Sequence, residues 1–513
     1  MELPFIDIYG NKYNSLEDIP DGAIFDRLDL SDMDFTELPK KLSTLTVKNL
    51  LLRNCENLES IKGLPKGLEN LDYDHTKITS FEGLPESLKI FRCWGAPIIL
   101  RRRPPENLKK YHSWDIPIDS FKEFSEKLEE FFSRNAHLAL FQKLPRGLKE
   151  FNCGGTNITL LEGLPEGLEK LACWGTHITS LKGLPEGLKS LVCGDTDITS
   201  LEGLPKGLKE LICGDTHITS LEDLPEGLEK LICNRTDITS LKGIPKSLKT
   251  LSCNNTHITE LEDLPEGLEI LNCSCTDITS LEDLPEGLER LDCSYTHITS
   301  FEGLPKGLKE LNCSGMNIIQ LTKLPKGLER LICYDTNITS LKGLPEGLKE
   351  LNCRGTHITS LKGLPEVLEE LNCSNTDITS LEGIPKGLKN LDCSDTHITS
   401  LKDLPYGLEE LNCSNTDITS LKGTPRKLKM LDCSGTNITS LEGVPRGIKK
   451  IRCEDCYKIE YIPDYIPDDV IEGLSKEKIR KCKENWKKEQ EKNAETVDMA
   501  RRAIFNAQIT KRN

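Results

Sequence analysis

The segment from Leu371 to Asn390 reads Leu-Asn-Cys-Ser-Asn-Thr-Asp-Ile-Thr-Ser-Leu-Glu-Gly-Ile-Pro-Lys-Gly-Leu-Lys-Asn, and its pattern returns every twenty residues. From residue 151 to residue 450 the register holds through fifteen copies without an insertion. A repeat this short and this regular indicates one structural unit stacked on itself, so we predict a solenoid. We number the repeat positions 1 to 20 from Leu371.

Six repeat positions are apolar in nearly every copy: Leu at 1, Cys at 3, Ile at 8, and Leu at 11, 14 and 18. Positions 18, 1 and 3 give Leu-x-x-Leu-x-Cys, which predicts a short strand whose alternate side chains face inward. Stacked copies would place these strands in parallel about 4.8 Å apart. The Thr at position 6 is expected to bond backbone groups where the chain leaves the strand. Pro at 15 excludes a long helix on the return side, and Gly at 17 is expected to permit a tight re-entry into the next strand.

Seventeen of the 21 cysteines occupy position 3, at residue 93 and then at every twentieth residue from 153 to 453. A cysteine two residues after a core leucine on a strand points inward and behaves as a small hydrophobe. We therefore predict a ladder of buried free thiols, in preference to disulfides or metal sites. So many thiols suit a reducing compartment, which favours the cytoplasm.

The pattern divides the chain into three parts. Residues 1–27 do not repeat and are predicted to form an N-terminal cap, with a small hairpin near Phe5. Residues 28–456 are predicted to form the solenoid of twenty-residue repeats. Residues 457–513 are predicted to form a C-terminal cap and a helical tail that is basic, with twelve Lys and Arg against seven Asp and Glu from residue 471 onward.

Residues 91–150 diverge from the repeat but keep its spacing, so we interpret them as three coils rather than an insertion. The apolar residues that hold the register are Phe91, Cys93, Ile98, Leu108, Tyr111, Ile118, Phe121, Leu128, Phe131, Leu138, Phe141, Leu144 and Leu148. Arg101 alone puts a charge where a core leucine belongs, inside the run from Arg101 to Pro105.

The unit Leu-x-x-Leu-x-Cys-x-x-Thr-x-Ile-Thr-Ser-Leu-x-Gly-Leu-Pro resembles the leucine-rich-repeat family, with Thr where that family usually has Asn. Its short period and its Leu-Pro pair are similar to the LPX subclass of bacterial effector proteins, the YopM and IpaH kind. The resemblance implies an α/β-type repeat: a horseshoe solenoid with a parallel β-sheet on its concave face and a short irregular convex side. Fewer than sixty residues follow the repeats, too few for the ubiquitin-ligase domain that some such effectors carry, so its activity is not transferred.

Charge and hydropathy narrow the classes of partner. The formal net charge is −16, which disfavours nucleic acids and anionic membranes as partners, because both bind preferentially to basic surfaces. No run of about 18 apolar residues exists to span a membrane, and the N-terminus lacks the features of a secretory signal peptide. We expect no cofactor, and the oligomeric state stays open.

One zone of the strand surface differs from the polar remainder. Positions 20, 2 and 4 are predicted to face outward there, with position 5 at the edge. Position 4 carries Trp94, Trp114 and Trp174; position 2 carries His112, Phe132, Val192, Ile212 and Ile232; position 5 carries Arg235. Exposed tryptophans among aliphatic residues are typical of a binding hot spot, although the cap or the backbone near Arg101–Pro105 could instead cover them.

Histidine and aspartate alternate at position 7, as in His177, Asp197, His217 and Asp237. Neighbouring coils would bring the two side chains together, which could serve a metal or raise the histidine pKa. We favour a solvated surface produced by duplication of a forty-residue pair. No serine or cysteine nucleophile accompanies a single oriented histidine, so we predict no catalytic residues.

The sequence thus predicts a non-enzymatic scaffold that binds a partner protein on the concave face, chiefly on coils 91–240. Our leading hypothesis is that the protein is an effector of an intracellular microbe and acts in host cytosol. One alternative is a substrate-recognition subunit for a separately encoded ligase or kinase. A second alternative is a structural or surface repeat protein.

Overall fold

A computed structural model of the 513-residue chain describes residues 5–80, 82–97, 103–114, 124–134 and 144–510. The chain divides into two compact units. The first unit comprises Met1–Ile258 and Glu262–Leu268, and the second comprises Thr259–Leu261 and Glu269–Asn513. Both are built from short parallel strands that recur with the predicted period.

The first unit opens with an antiparallel hairpin of β1 (Phe5–Ile6) and β2 (Lys12–Tyr13), as predicted. A parallel sheet follows: β3 (Ile24–Asp29), β4 (Thr46–Leu51), β5 (Asn70–Asp72), β6 (Ile90–Cys93), β7 (Lys110–Trp114), β8 (Glu130–Arg134), β9 (Glu150–Asn152), β10 (Lys170–Ala172), β11 (Ser190–Val192), β12 (Glu210–Ile212), β13 (Lys230–Ile232) and β14 (Thr250–Ser252). A 3₁₀ helix at Lys40–Thr44 precedes β4. The described segments between later strands contain only turns and bends.

The second unit continues the same arrangement and ends in a helix. Its strands are β15 (Ile270–Asn272), β16 (Arg290–Asp292), β17 (Glu310–Asn312), β18 (Arg330–Ile332), β19 (Glu350–Asn352), β20 (Glu370–Asn372), β21 (Asn390–Asp392), β22 (Glu410–Asn412), β23 (Met430–Asp432), β24 (Lys450–Arg452) and β25 (Ile471–Glu472). A short 3₁₀ helix at Asp468–Val470 leads into β25, and α1 (Lys476–Thr510) completes the chain. The predicted helical tail is therefore confirmed.

Backbone hydrogen bonds join each coil to the next in the predicted register. Leu371 pairs with Leu351 and with Leu391, each twenty residues away. Beyond the strand, the Cys373 amide donates to the Asp392 carbonyl at 2.8 Å. On the other side, the Lys389 amide donates to the Glu369 carbonyl at 2.8 Å. Each coil thus satisfies its backbone polar groups through its neighbours, as a solenoid requires.

The cysteines at position 3 form the predicted ladder. All seventeen are free and buried, and the three others that are buried are Cys55, Cys456 and Cys482. Only Cys275, at position 5, is exposed. Burial raises the pKa of ladder thiols such as Cys173 and Cys213 to about 12, so they stay protonated at neutral pH.

The threonines at position 6 are buried beneath the same turn. The Thr376 hydroxyl donates to the Cys373 carbonyl at 2.7 Å, and Thr396 repeats this bond to Cys393 at 2.6 Å. Met316 replaces this threonine in one coil and instead packs its sulfur 3.8 Å from Cys293 Sγ. The predicted backbone contact of position 6 is confirmed.

Gly at position 17 is expected to permit a tight re-entry, and the preceding coil does approach closely at several of these glycines, although none of them in residues 151–450 has a positive φ. Left-handed backbone falls instead at position 5, where Asn375 has φ 53°, and at position 13, where Gly383 has φ 100°. At position 17 the constraint is space: a Cβ on Gly387 would lie 3.2 Å from the Glu366 carbonyl oxygen. At Gly387 glycine is therefore favoured by the close approach of the preceding coil, whereas a Cβ on Gly267 or Gly447 would meet open space.

The diverged coils of residues 91–150 keep the register where they are described. Phe91 pairs with Tyr111, Tyr111 with Phe131, and Phe131 with Phe151, and all four rings are buried. Cys93, Leu108, Leu128, Leu144 and Leu148 are buried as well. Ile98, Arg101, Ile118, Phe121, Leu138 and Phe141 lie outside the described residues.

At the C-terminus, apolar side chains connect the last coil to the first turns of α1. Ile459, Ile462 and Ile466 are buried, as are Ile479 and Cys482 of the helix. Trp486 is half-buried, whereas Val497 is exposed. In the part of the chain that is described, no helix has the length and apolar character that crossing a bilayer requires.

We predict that Cys275 alkylates much faster than any ladder cysteine when the native chain is treated with iodoacetamide at pH 8. Burial both excludes the reagent from the ladder and keeps those thiols protonated. Peptide mass spectrometry over a time course measures the rate at each cysteine, with Cys275→Ser as the control. A ladder cysteine that reacts as fast as Cys275 would contradict the buried ladder.

Candidate functional site

The outward side chains of the strands form what we call the strand face, at repeat positions 20, 2 and 4. In the first unit this face carries three of the four tryptophans of the chain. Trp94 follows β6 directly and is 39% exposed, whereas Trp114 and Trp174 are half-buried. Partial exposure on a regular surface leaves aromatic area for a partner to cover.

The first two tryptophans contact each other edge to face. Their ring centroids are 6.1 Å apart and the ring planes lie at 83°. Strands β9 to β14 all end at position 2, whereas β7 and β8 extend to position 4 and so include Trp114 and Arg134. The added strand pairing holds these two side chains one coil apart.

Arg134 lies between two indoles, a contact that the sequence analysis did not predict. Its guanidinium carbon is 4.8 Å from the Trp114 ring centroid and 4.4 Å from that of Trp174. Trp174 reaches Arg134 across an intervening coil because position 4 of that coil is Gly154. A Cβ on Gly154 would lie 2.4 Å from the Trp174 ring. We call Trp94, Trp114, Arg134 and Trp174 the indole stack.

His112 and Phe132 lie beside the stack at position 2, with ring centroids 4.6 Å apart. The Glu130 carboxylate lies beside His112, with its Oε2 3.6 Å from His112 Nε2. Burial lowers the pKa of His112, and the positive charge of Arg92 lowers it further, against the opposing effect of Glu130. His112 is therefore neutral at physiological pH and adds apolar character to this surface.

Several buried polar atoms near the stack lack hydrogen-bond partners. Among the described residues, six buried side-chain nitrogen or oxygen atoms have none. Three of them are His112 Nε2, Trp114 Nε1 and Arg134 Nε, on neighbouring strands. Buried polar groups in folded proteins are nearly always satisfied, so this concentration marks the region as one that can gain bonds from a ligand.

The aliphatic residues of the predicted site form a separate row. Val192 pairs with Ile212 and Ile212 with Ile232 across β11–β13, and all three are half-buried on the strand face. Arg235 belongs to neither group: it is exposed at position 5, with positive φ, and its guanidinium lies 3.4 Å from Asp215. The structure thus joins Trp114 and Trp174 through Arg134 and Trp94 through Trp114. It leaves Arg235 as a paired surface charge.

The histidines and aspartates at position 7 do meet, but on an exposed edge. His217 Nδ1 is 3.3 Å from Asp237, and His397 Nδ1 is 3.2 Å from Asp417. All four side chains are more than half exposed. Among the described residues no group of three or more histidine, cysteine or acidic side chains could hold a metal ion. These pairs match the solvated surface that the sequence analysis favoured.

A groove of about 420 Å³ runs along the strand face of the second unit, from Arg330 to Arg452. Its floor carries a row of Asn and Asp at position 2, such as Asn372 and Asp392. Their Oδ1 atoms accept bonds from Ser374 and Ser394, each from both the amide and the hydroxyl. The serine two residues later thus binds one side-chain oxygen of each Asn or Asp. These hydrogen bonds stabilise the turn that follows the strand.

Known structures share this architecture. YopM from Yersinia enterocolitica WA-314 is similar with a TM-score of 0.59 and 28% identity, over 87% of this chain and 90% of that one. The circular leucine-rich-repeat protein CroV588 is similar with a TM-score of 0.61 and 19% identity, over 88% and 74%. TLR13 in its complex with ssRNA13 is similar with a TM-score of 0.54 and 22% identity, over 85% and 71%. No protein-family model and no curated protein sequence matches the chain.

The chain has a leucine-rich-repeat fold that resembles YopM. The predicted family resemblance and fold class are thereby confirmed. The strand face of the first unit carries the indole stack, and the strand face of the second unit carries the polar groove.

We predict that Gly154→Ala destabilises the chain by about 1–3 kcal/mol, because the new methyl group displaces the Trp174 ring from Arg134. In a Trp174→Ala background the same change should cost almost nothing, since other coils carry a side chain at position 4. Thermal unfolding of the four proteins in this double-mutant cycle measures the coupling. Equal costs in both backgrounds would show that Trp174 does not lie over Gly154.

Proposed function

We propose that this chain is a non-enzymatic scaffold whose partner protein docks on the strand face of the first unit, over the indole stack. The observation that carries the proposal is the coincidence of partly exposed tryptophans with buried polar atoms that lack partners. Tryptophan and arginine are the residues most enriched among those that dominate binding energy.

The predicted site residues enter this proposal with different roles. Trp94, Trp114 and Trp174 supply the aromatic anchors. His112 and Phe132 extend the surface at position 2, and the row Val192, Ile212 and Ile232 offers aliphatic area farther along the face. Arg235 is assigned to the rim, because it is exposed and already paired with Asp215; rim charges contribute little to affinity.

The rest of the chain serves to present this face. In our proposal, residues 1–27 cap one end of the solenoid of residues 28–456, and residues 457–513 form the other cap and the basic tail. The hairpin β1–β2 and the apolar contacts of α1 support these boundaries. Strand β3 begins at Ile24, shortly before the proposed start of the repeats.

We further propose that the chain acts as a microbial effector in host cytosol. The similarity to YopM and the LPX-type repeat support this role. All 21 cysteines are free, and twenty of them are buried, which suits a reducing compartment. An associated ligase or kinase that co-purifies with the chain would instead favour the substrate-recognition role.

We predict that Trp94→Ala, Trp114→Ala and Trp174→Ala each weaken partner binding by at least about tenfold, the loss of a hot-spot residue. The partner is captured from host-cell cytosol with the full chain and then titrated against each variant by calorimetry. Tyr334→Ala is the matched control, because Tyr334 occupies position 4 in the second unit.

Thermal unfolding of each variant confirms that it folds. If folded tryptophan variants bind every captured partner as tightly as the unchanged chain does, the strand face of the first unit is not the binding site.

A further inference from the structure

Two arginines of the strand face form no ion pair with a carboxylate in the part of the chain that the structure describes. Arg92 stands at position 2 of β6, and Arg134 stands at position 4 of β8. Neither forms an ion pair with any of the described residues, although the chain as a whole has a net charge of −16. Guanidinium groups without an ion-pair partner make the electrostatic potential around them more positive than that of the rest of this acidic chain.

The neighbouring charges are paired within the sheet. At position 20, Lys110 bonds Glu130, and Lys170 lies 2.8 Å from Glu150. In the coil before Arg92, Asp72 is already paired with Arg53. Glu130, Glu150 and Asp72 are thus paired with other cations, while Asp74, in the coil before Trp94, accepts a hydrogen bond from the Trp94 amide at 2.8 Å. Arg92 and Arg134 remain without an ion pair among the described residues and add positive charge to this part of the face.

The unsatisfied atoms of the stack are of one chemical kind. Arginine and the tryptophan ring nitrogen can only donate hydrogen bonds. Arg134 Nε and Trp114 Nε1 are buried without an acceptor. A ligand that completes this site must therefore bring acceptor atoms, and a carboxylate brings two oxygens that match a guanidinium edge.

The stacking of Arg134 prepares it for such a ligand. With Trp114 on one side and Trp174 on the other, the guanidinium plane is held before binding. An arginine free in solvent loses rotamer entropy when it forms a bidentate pair, and an arginine between two rings loses less. The indoles also lower the local dielectric, which strengthens the charge interaction.

We propose that the indole stack recognises an acidic segment of the partner protein, with an Asp or Glu carboxylate on Arg134 and a second one on Arg92. This inference rests on the proposed function, because it assigns the chemistry of the segment that docks on the same face. Aromatic rings with arginines also suit single-stranded nucleic acid, but that ligand brings a phosphate charge with every nucleotide against the acidic remainder of the chain, whereas a peptide segment needs only two carboxylates, one for each arginine.

The test selects twelve-residue peptides from an unbiased displayed library on the full chain and keeps those that Trp114→Ala fails to bind. Selected peptides should be enriched in Asp and Glu. Binding of synthetic copies is then measured by fluorescence anisotropy. Arg134→Met, which keeps the side-chain length without the charge, should weaken it at least about tenfold. Arg354→Met is the matched control at the same repeat position, and its effect should stay below about twofold.

Changing the acidic residues of a selected peptide to Gln or Asn should weaken its binding to the unchanged chain by a similar factor. This arm needs no protein variant, so it holds even if Arg134→Met folds poorly. Raising NaCl from 50 to 500 mM should weaken the acidic peptides further, because the salt screens the charges.

The outcomes separate the two proposals. Selected peptides that need Trp114 but are neutral or basic, and that tolerate Arg134→Met, would overturn the acidic ligand and leave the docking face intact. A library with no peptide that depends on the tryptophans would contradict both proposals. A random single-stranded RNA pool that binds through the same tryptophans, when acidic peptides do not, would also overturn this inference.

Discussion

Within each unit, every coil gives its backbone hydrogen bonds to the coil before it and the coil after it, and this exchange sets the length of the repeat. The strand pairs residues that are twenty apart, as Leu371 pairs with Leu391. Beside the strand, amides at positions 3 and 19 bond carbonyls of neighbouring coils, as Cys373 and Lys389 do. An extra or missing residue would leave buried backbone groups unpaired at several points of a coil at once, which costs more than a surface change does. The inward side chains then follow from this register, because a residue at one repeat position, such as the cysteine at position 3, stacks on the residue at the same position of the next coil.

The same constraint explains how a site can arise on a surface that repeats. Side chains at one repeat position stand one strand spacing apart, about 4.8 Å, so a change in one coil is felt by its neighbours. Glycine at such a position opens a gap that a larger side chain from another coil can cross. Trp174 crosses Gly154 to reach Arg134. In the second unit Tyr295 lies over Gly315, and its hydroxyl is 3.5 Å from that of Tyr334. The distinctive contacts of this chain therefore arise where a residue departs from the repeat pattern, and the repeat fixes the spacing between such residues.

Much of the fold could be predicted because the same residue types return at the same repeat positions in many copies. The strand, the cysteine ladder and the threonine bond all depend on residue type at one position, and the diverged coils were recognisable by spacing alone.

The contacts of the site were harder to predict. Arg134 is one arginine in a diverged coil, and nothing local shows that Trp114, one coil away, and Trp174, two coils away, are close enough to hold it. The role of Gly154 depends on what lies above it, which is a property of the stack. For the glycines at position 17, composition shows that a side chain is missing there, but not whether φ or space is the reason. Arg235 was grouped with the tryptophans by sequence position, and only the structure shows its pairing with Asp215.

The central claim is that twenty residues make one coil and that each coil needs only its neighbours. Two deletions in the second unit test it directly: removal of residues 371–390, a whole coil, and removal of residues 371–380, half of one. The measurement is the protection of Cys353 and Cys393 from alkylation in the native protein. We predict that the whole-coil deletion leaves both thiols as protected as before, because the coils that carry them now pair with each other, while the half-coil deletion exposes them. Equal exposure of both thiols in the two deletions would contradict the account.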